Sequence, residues 1–241
     1  MNAMAIALIF AGGAGKRMNS RSKPKQFLEI HGKPIIIYTL EHFERHEEVD
    51  GIVVVCIREW MGELKSLVRR YGITKVRSIV PGGDTGHDSI YLGLVSMKTF
   101  VADDDVVLIH DGVRPLITDK LITRNIECVK KYGSAITCEA SRESVVRSGD
   151  GENVLEVPPR NEIHIVKAPQ SFYYARILHM YEKAREDGRK SIDSAHLCSM
   201  YQEPMHLLQS TKNNIKITEP ADFYICRALY DAQENQQVFG L

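Results

Sequence analysis

The chain has 241 residues, 44% of them hydrophobic and 26% charged, with 31 lysines and arginines balanced by 31 acidic residues. Such a composition excludes a disordered chain and lacks the basic surplus of a general nucleic-acid binder, so positive charge for an anionic substrate must be gathered locally. The five cysteines (Cys56, Cys128, Cys138, Cys198 and Cys226) are scattered and without a CxxC pair, so neither a disulfide framework nor a zinc site is expected and a reducing cytoplasm fits best.

Ala5 to Phe10 is a continuous apolar run ending in glycines, the pattern of a parallel strand covered on both faces. The run is short and no basic residue precedes it, so it reads as a first strand and not as a targeting segment. No apolar stretch approaches the roughly 20 residues needed to span a bilayer. A helix is expected over Ile35 to Phe43, a second buried strand over Gly51 to Ile57, a helix around Gly62 to Tyr71 and a strand around Val76 to Val80. A helix from about Asp88 to Phe100 and a strand over Val106 to His110 continue the alternation, which predicts an α/β fold with a doubly wound parallel sheet. From Ser141 to about Val166 the pattern breaks into short extended pieces separated by SGDGEN and PP, expected to form a β-arm standing off the sheet. Helices follow near Tyr174 to Asp187 and Ser194 to Gln202, then a strand at Met205 to Gln209 and a last helix from Pro220, which suits a first helical position. Residues 1–241 therefore read as one domain with an arm.

In such sheets ligands bind beyond the carboxyl ends of the strands. Three charged, glycine-bearing loops, AGGAGKRM, PGGDTGHDS and HDGVRP, are placed there. In the first, Ala11, Gly12, Gly13, Ala14 and Gly15 expose backbone N–H groups to a triphosphate while Lys16 and Arg17 add full charges; the plainer reading is a tight turn. A P-loop would need glycine where Phe10 stands and serine or threonine in place of Arg17, and a dinucleotide fingerprint would need glycine or alanine in place of Met18. Lys25, in PKQF, extends this cationic group, against the plainer reading of a solvated lysine. In the second loop Gly83 permits close backbone approach, Asp84 and Asp88 are acceptors, and Ser89 is a donor; Asp88 or Ser89 would equally serve as a helix cap. Asp111 and Arg114 follow a buried strand, where packing explains charge poorly. Asp111 is the candidate Mg²⁺ ligand, since magnesium takes few carboxylates and completes its octahedron with phosphate oxygens and water; Arg114 alternatively pairs with Asp111 and orients it. Lys216 sits between Ile215 and Ile217 and would point opposite to them on a strand.

Taken in order, AGGAGKRM, PKQF, GGDTGHDSI, HDGVRP, APQSF and NNIKIT resemble the motif series of the family that contains 2-C-methyl-D-erythritol 4-phosphate and ribitol-5-phosphate cytidylyltransferases. The resemblance spans nearly the whole chain. It implies a Rossmann-like sheet, CTP as co-substrate, a divalent cation such as Mg²⁺, and a homodimer whose β-arms reach across to the partner. Arg17, Lys25 and Lys216 would be the catalytic cations, with Ala11 to Gly15, Gly83, Asp84, Ser89 and Asp111 around the nucleotide. Arg160 would bind substrate phosphate in the other subunit's site, and Arg114 and Asp193 would lie near the acceptor. Ile192 stands where the erythritol pattern has threonine, Ala168 replaces the threonine of TPQ, Gly86 replaces an arginine, and Asn213 stands where an acidic residue is common. These departures and the opening FAGG favour ribitol 5-phosphate or a related alditol phosphate, whose CDP-polyol would feed a surface glycopolymer. Methylerythritol phosphate is the alternative acceptor, and Ile192 leaves room for a third. Two rival classes are a sugar-1-phosphate nucleotidyltransferase, which does not usually combine HDGVRP, APQSF and NNIKIT, and a non-catalytic CTP-binding regulator.

Overall fold

The structure, a computed structural model, describes residues 3–12 and 23–239. In chain order the elements are β1 (Ala5–Ala11), a small hairpin of β2 (Glu29–Ile30) and β3 (Lys33–Pro34), α1 (Ile35–Arg45), β4 (Gly51–Cys56), α2 (Met61–Arg70), β5 (Val76–Pro81), α3 (Gly86–Ser96) and β6 (Val106–Asp111). There follow α4 (Asp119–Tyr132), β7 (Ser134–Ala140), β8 (His164–Tyr173), α5 (Tyr174–Glu186), α6 (Ser194–Met200), β9 (Leu207–Gln209) and α7 (Pro220–Phe239).

Among the described residues the strands form a seven-stranded sheet in the order β5-β4-β1-β6-β8-β7-β9. β1 pairs in parallel with β4 and β6, as β4 does with β5 and β7 with β9, whereas β8 runs antiparallel to both its neighbours. The central strands are apolar on both faces because helices cover both. Ala5, Ala7 and Ile9 of β1 pack with α1, α2 and α4. The intervening Ile6 and Leu8 pack with α3, α5 and α6. This strict alternation fixes which side chains of β6 face which layer. A third apolar cluster seats α7 through Cys226 on Ile30, Ile35, Val113 and Ile217.

The doubly wound, mostly parallel sheet is as expected, but several elements differ from the sequence reading. The helix expected from Asp88 begins at Gly86, because Thr85 is its cap: the Thr85 side chain accepts from the Asp88 N–H. Neither Asp88 nor Ser89 caps it. Helix α4 and strand β7 were not expected, although both ends of α4 carry local signals, Thr118 accepting from Leu121 N–H and Gly133 closing the helix at φ 80°. NNIKIT is not a strand. The arm is narrower than expected: β8 begins at His164, and within residues 141–163 the pairing described is one antiparallel bridge, Arg147 with Glu156. No helix among the described residues is long and apolar enough to cross a membrane.

Candidate active site

A cavity of about 240 Å³ opens at the carboxyl edge of the sheet, walled by Phe10, Asp111, Arg114, Lys167, Asp193 and Lys216 among others. β1 and β6 deliver their last residues to it side by side, Phe10 being in register with Asp111. Alternation along β6 turns Asp111 toward the layer of α3 and sends His110 to the opposite face, where its ring lies 5.3 Å from that of Phe43. His110 Nε2 donates to the Arg114 carbonyl at 3.2 Å, which fixes the loop after β6. Burial pushes the His110 imidazole down to about 3, so it is neutral at physiological pH.

Asp111 is the electrostatic centre of the pocket. Arg114 Nε donates to its Oδ2 at 2.8 Å, and Lys216 Nζ to its Oδ1 at 2.5 Å. Burial alone would raise the Asp111 carboxyl, but Lys216 and Arg114 together hold it well below the usual carboxylate range. Lys216 is placed by tertiary contacts and not by strand alternation. Arg114 Nη1 donates to the Asn214 carbonyl at 2.9 Å, Asn214 Nδ2 donates to the Ala168 carbonyl at 2.7 Å, and Ile217 N–H donates to Val113 O at 2.9 Å. The segment 210–217 is thus a strap tied to the loop after β6 and to the middle of β8.

The same strap receives Lys25, whose Nζ donates to the Ile217 carbonyl at 2.9 Å across 192 residues of chain. The neighbouring Gln26 is buried and donates from Nε2 to the Ala11 carbonyl at 2.7 Å, so PKQF locks the exit of β1. Lys25, Asp111, Arg114 and Lys216 are therefore brought to one edge. Gly13, Ala14, Gly15, Lys16 and Arg17 lie outside the described residues.

The second loop is knitted by Ser89, which is buried. Its Oγ donates to the Thr85 carbonyl at 2.8 Å and accepts from Gly83 N–H at 3.0 Å. A Cβ at Gly83 would stand 2.6 Å from Asp88 Cβ, so only glycine fits there. A Cβ at Gly12 would come within 3.2 Å of Ser89 Oγ, which shows how closely the first two loops approach. Asp84 is exposed beside them and stands outside the cavity wall. Asp88 pairs with Lys190 at 3.1 Å.

On the far wall Asp193 caps α6, accepting from His196 N–H at 2.8 Å. Ile192 and Ala168 line the same cavity. Gln170, missed in the sequence reading except as part of APQSF, accepts from Ala195 N–H at 2.8 Å and so fixes α6 against β8. Lys167 was also missed, because a single lysine within a mostly apolar strand carries no local signal of the partners it finds. Arg160 is exposed and away from this cavity, its Nη1 donating to the Arg142 carbonyl at 3.4 Å.

Among the described residues no group of three or more His, Cys, Asp or Glu side chains is set to hold a metal. Asp111, whose two oxygens already accept from Arg114 and Lys216, would offer a magnesium few ligands, so such an ion would take most of its ligands from phosphate and water.

A doubly wound sheet that presents fixed cations around one carboxylate at its carboxyl edge defines an enzyme built to hold anionic, phosphate-bearing substrates. Residues 5–231 match the family model described as IspD, 2-C-methyl-D-erythritol 4-phosphate cytidylyltransferase. A ribitol-5-phosphate cytidylyltransferase of Streptococcus agalactiae serotype Ia is 48% identical over 99% of this chain and 100% of its own. One of Vibrio parahaemolyticus is 49% identical over 98% and 100%. A 2-C-methyl-D-erythritol 4-phosphate cytidylyltransferase of Clostridium botulinum is 38% identical over 90% and 93%. The crystal structure of 4-diphosphocytidyl-2C-methyl-D-erythritol synthase from Anaerococcus prevotii superposes with a TM-score of 0.82 at 27% identity, over 95% of this chain and 96% of that one. The chain belongs to the IspD family of cytidylyltransferases. Its nucleotide co-substrate is CTP, and the regulator and sugar-1-phosphate readings give way to this assignment.

Proposed function

We propose that the enzyme transfers CMP from CTP to ribitol 5-phosphate or a closely related alditol phosphate, releasing pyrophosphate and a CDP-polyol. The observation that carries the reading is the convergence of Arg114 and Lys216 on Asp111 in one cavity, with Lys25 held on the same strap at the Ile217 carbonyl. The acceptor follows from the relatives: identity is 48–49% over 98–99% of the chain to proteins named for ribitol 5-phosphate and 37–38% over 90% of it to those named for methylerythritol phosphate.

The chemistry asks little covalent help of the protein. A phosphate oxygen of the acceptor attacks the α-phosphorus of CTP, the bond from that phosphorus to the bridging oxygen breaks, and pyrophosphate leaves with the electron pair. Both reactants are anions, so the task is to hold them in line and to neutralise charge on the leaving group. Lys25 and Lys216, with Arg17 from the first loop, supply fixed positive charge; Asp111 holds Lys216 and Arg114 in place before substrate arrives. Gly12, Gly83 and Ser89 shape the nucleotide end, with Ala11 and residues 13–16 as the phosphate cradle, and Arg114 and Asp193 face the acceptor. Mg²⁺, bound to the triphosphate and to Asp111, would screen the phosphate charges.

The reading includes a homodimer. Residues 141–163 expose Val145, Val146, Val154, Leu155 and Val157, apolar surface that a second copy would cover, and Arg160 would then meet substrate phosphate in the partner's site. The chain is read as one domain with this arm, working in the cytoplasm, where its five buried, free cysteines stay reduced; the CDP-polyol would serve a surface glycopolymer.

The test is pyrophosphate release with CTP or UTP against ribitol 5-phosphate, methylerythritol 4-phosphate and glucose 1-phosphate. The largest kcat/KM is expected for CTP with ribitol 5-phosphate. Faster turnover with methylerythritol 4-phosphate would move the acceptor to the alternative, and turnover confined to UTP with glucose 1-phosphate would overturn the reading.

A further inference from the structure

One buried cation in the pocket wall has no part in the chemistry above. Lys167, on β8, is only 8% exposed. Its ammonium lies 2.6 Å from Glu139 Oε2 and donates to the Lys212 carbonyl at 3.3 Å. Lysine is rarely buried unless paired, and pairing by itself gives little stability, since an apolar pair of similar volume does as well. The ammonium adds something that an apolar pair would not: a bond to the strap.

That strap, residues 210–217, has no ladder partner at Lys216, and anchors on either side replace one. Lys167 holds it at Lys212, the Ala168 carbonyl and Arg114 hold it at Asn214, and Val113 holds it at Ile217. Lys216 lies between the last two. Ser210 N–H also donates to the Cys138 carbonyl at 2.8 Å, so loss of the Lys212 anchor would leave the stretch between Ser210 and Asn214 without that tie and loosen the approach to Lys216. Glu139, which fixes the Lys167 ammonium, also stands 3.6 Å from Arg142 Nε at the root of the 141–163 segment.

We infer that Lys167 is a positioning residue: with Glu139 it pins the strap at Lys212 and so sets Lys216 over Asp111. The inference rests on the reading of Lys216 as a catalytic cation. Removing Lys167 alone would leave the Glu139 carboxylate poorly compensated, so the test pairs Lys167→Met with Glu139→Gln and adds Lys167→Arg, which retains the charge and the donor. In the paired variant, amide hydrogen exchange over residues 211–217 is expected to quicken roughly tenfold or more, as local opening becomes easier. Turnover should fall about 10- to 100-fold, the scale of a reacting group displaced by about an ångström, while KM for CTP and for the acceptor changes little. Lys167→Arg should restore most of both. In a Lys216→Ala background the paired substitution should add no further loss, because Lys167 acts through Lys216.

Unchanged exchange with a raised KM for the acceptor would overturn the inference and make Lys167 a substrate ligand. A loss that multiplies fully with that of Lys216→Ala would overturn it in favour of general damage to the fold. Should Lys216→Ala alone retain full turnover, the reading of Lys216 fails separately, and the exchange measurement still decides whether Lys167 anchors the strap.

Discussion

The carboxyl edge of the sheet and the 141–163 segment hold their charges in opposite ways. At the edge, both Asp111 oxygens are taken by cations that are themselves tied to backbone, Arg114 to the Asn214 carbonyl and the Lys216 strap to Val113 and Ala168. In the segment, Arg147 meets Glu156 at 3.0 Å in an exposed pair, and Val154, Leu155 and Val157 are each 60% exposed. An exposed ion pair contributes little, and exposed clustered apolar side chains mark a surface that another molecule covers. The edge is thus preorganised within one chain, whereas the segment, in the dimer proposed above, would gain its contacts from a second copy. Substitutions at the edge should damage chemistry in a folded protein, and substitutions in the segment should damage assembly first.

The largest effect is expected at the edge. Lys25→Ala should lower turnover roughly 10²- to 10³-fold, the scale of losing one preorganised donor to developing charge, with little change in thermal midpoint; near-normal turnover in the folded variant would remove Lys25 from the mechanism. Leu155→Asp should instead shift the protein toward a monomer in analytical ultracentrifugation and lower activity only as far as Arg160 depends on the partner. If that variant keeps the wild-type mass, the segment is no dimer contact and the contrast collapses.

Acid sharpens the same comparison. The Asp111 carboxyl is held below its ordinary range, so its pairing stabilises the fold above an unfolded value of about 3.9 and is lost as pH falls through the folded value. Asp111→Asn should therefore flatten the acid limb of a stability profile below about pH 4. His110 adds a second window: protonated near 6.5 when unfolded but only near 3 in the fold, it makes stability fall as pH drops from about 6.5 toward 3. His110→Gln should weaken the slope of denaturation midpoint against pH in that interval, and an unchanged slope would show that His110 is not the source. The smallest effect belongs to Asp193. Asp193→Asn retains the cap on α6 and should leave stability almost unchanged, whereas Asp193→Ala should cost about 1 kcal/mol in chemical denaturation; a rise in acceptor KM common to both would separate its substrate role from its capping role.

Much of the sheet was legible because burial on both faces leaves apolar runs bounded by turn residues, as at Ala5–Ala11 and Gly51–Cys56. Helix α4 was equally marked by Thr118 and Gly133 and was overlooked because its apolar positions are interleaved with Lys120, Arg124, Glu127, Lys130 and Lys131. The start of α3 was misplaced because Thr85, Asp88 and Ser89 are all competent caps, and only the backbone geometry chooses among them. At the site, Lys25, Asp111, Arg114 and Lys216 were legible as charged residues in glycine-bearing or strand-end motifs. Gln170 and Lys167 were not, since their partners Ala195 and Glu139 lie 25 and 28 residues away in sequence, the latter the difference between positions 167 and 139.

By itself the sequence determined the alternation of strands and helices, the loops that reach the carboxyl edge, and the motif series that places the chain among cytidylyltransferases. Those are matters of period and residue type, which act over a few residues. Only the tertiary structure decided that Lys216 stands on Asp111 across 105 residues and that Lys25 grips the next carbonyl of the same strap across 192. The physical reason is that a strap without a ladder carries no periodicity of its own. Its course is set by the side chains that anchor it, and those come from distant parts of the chain.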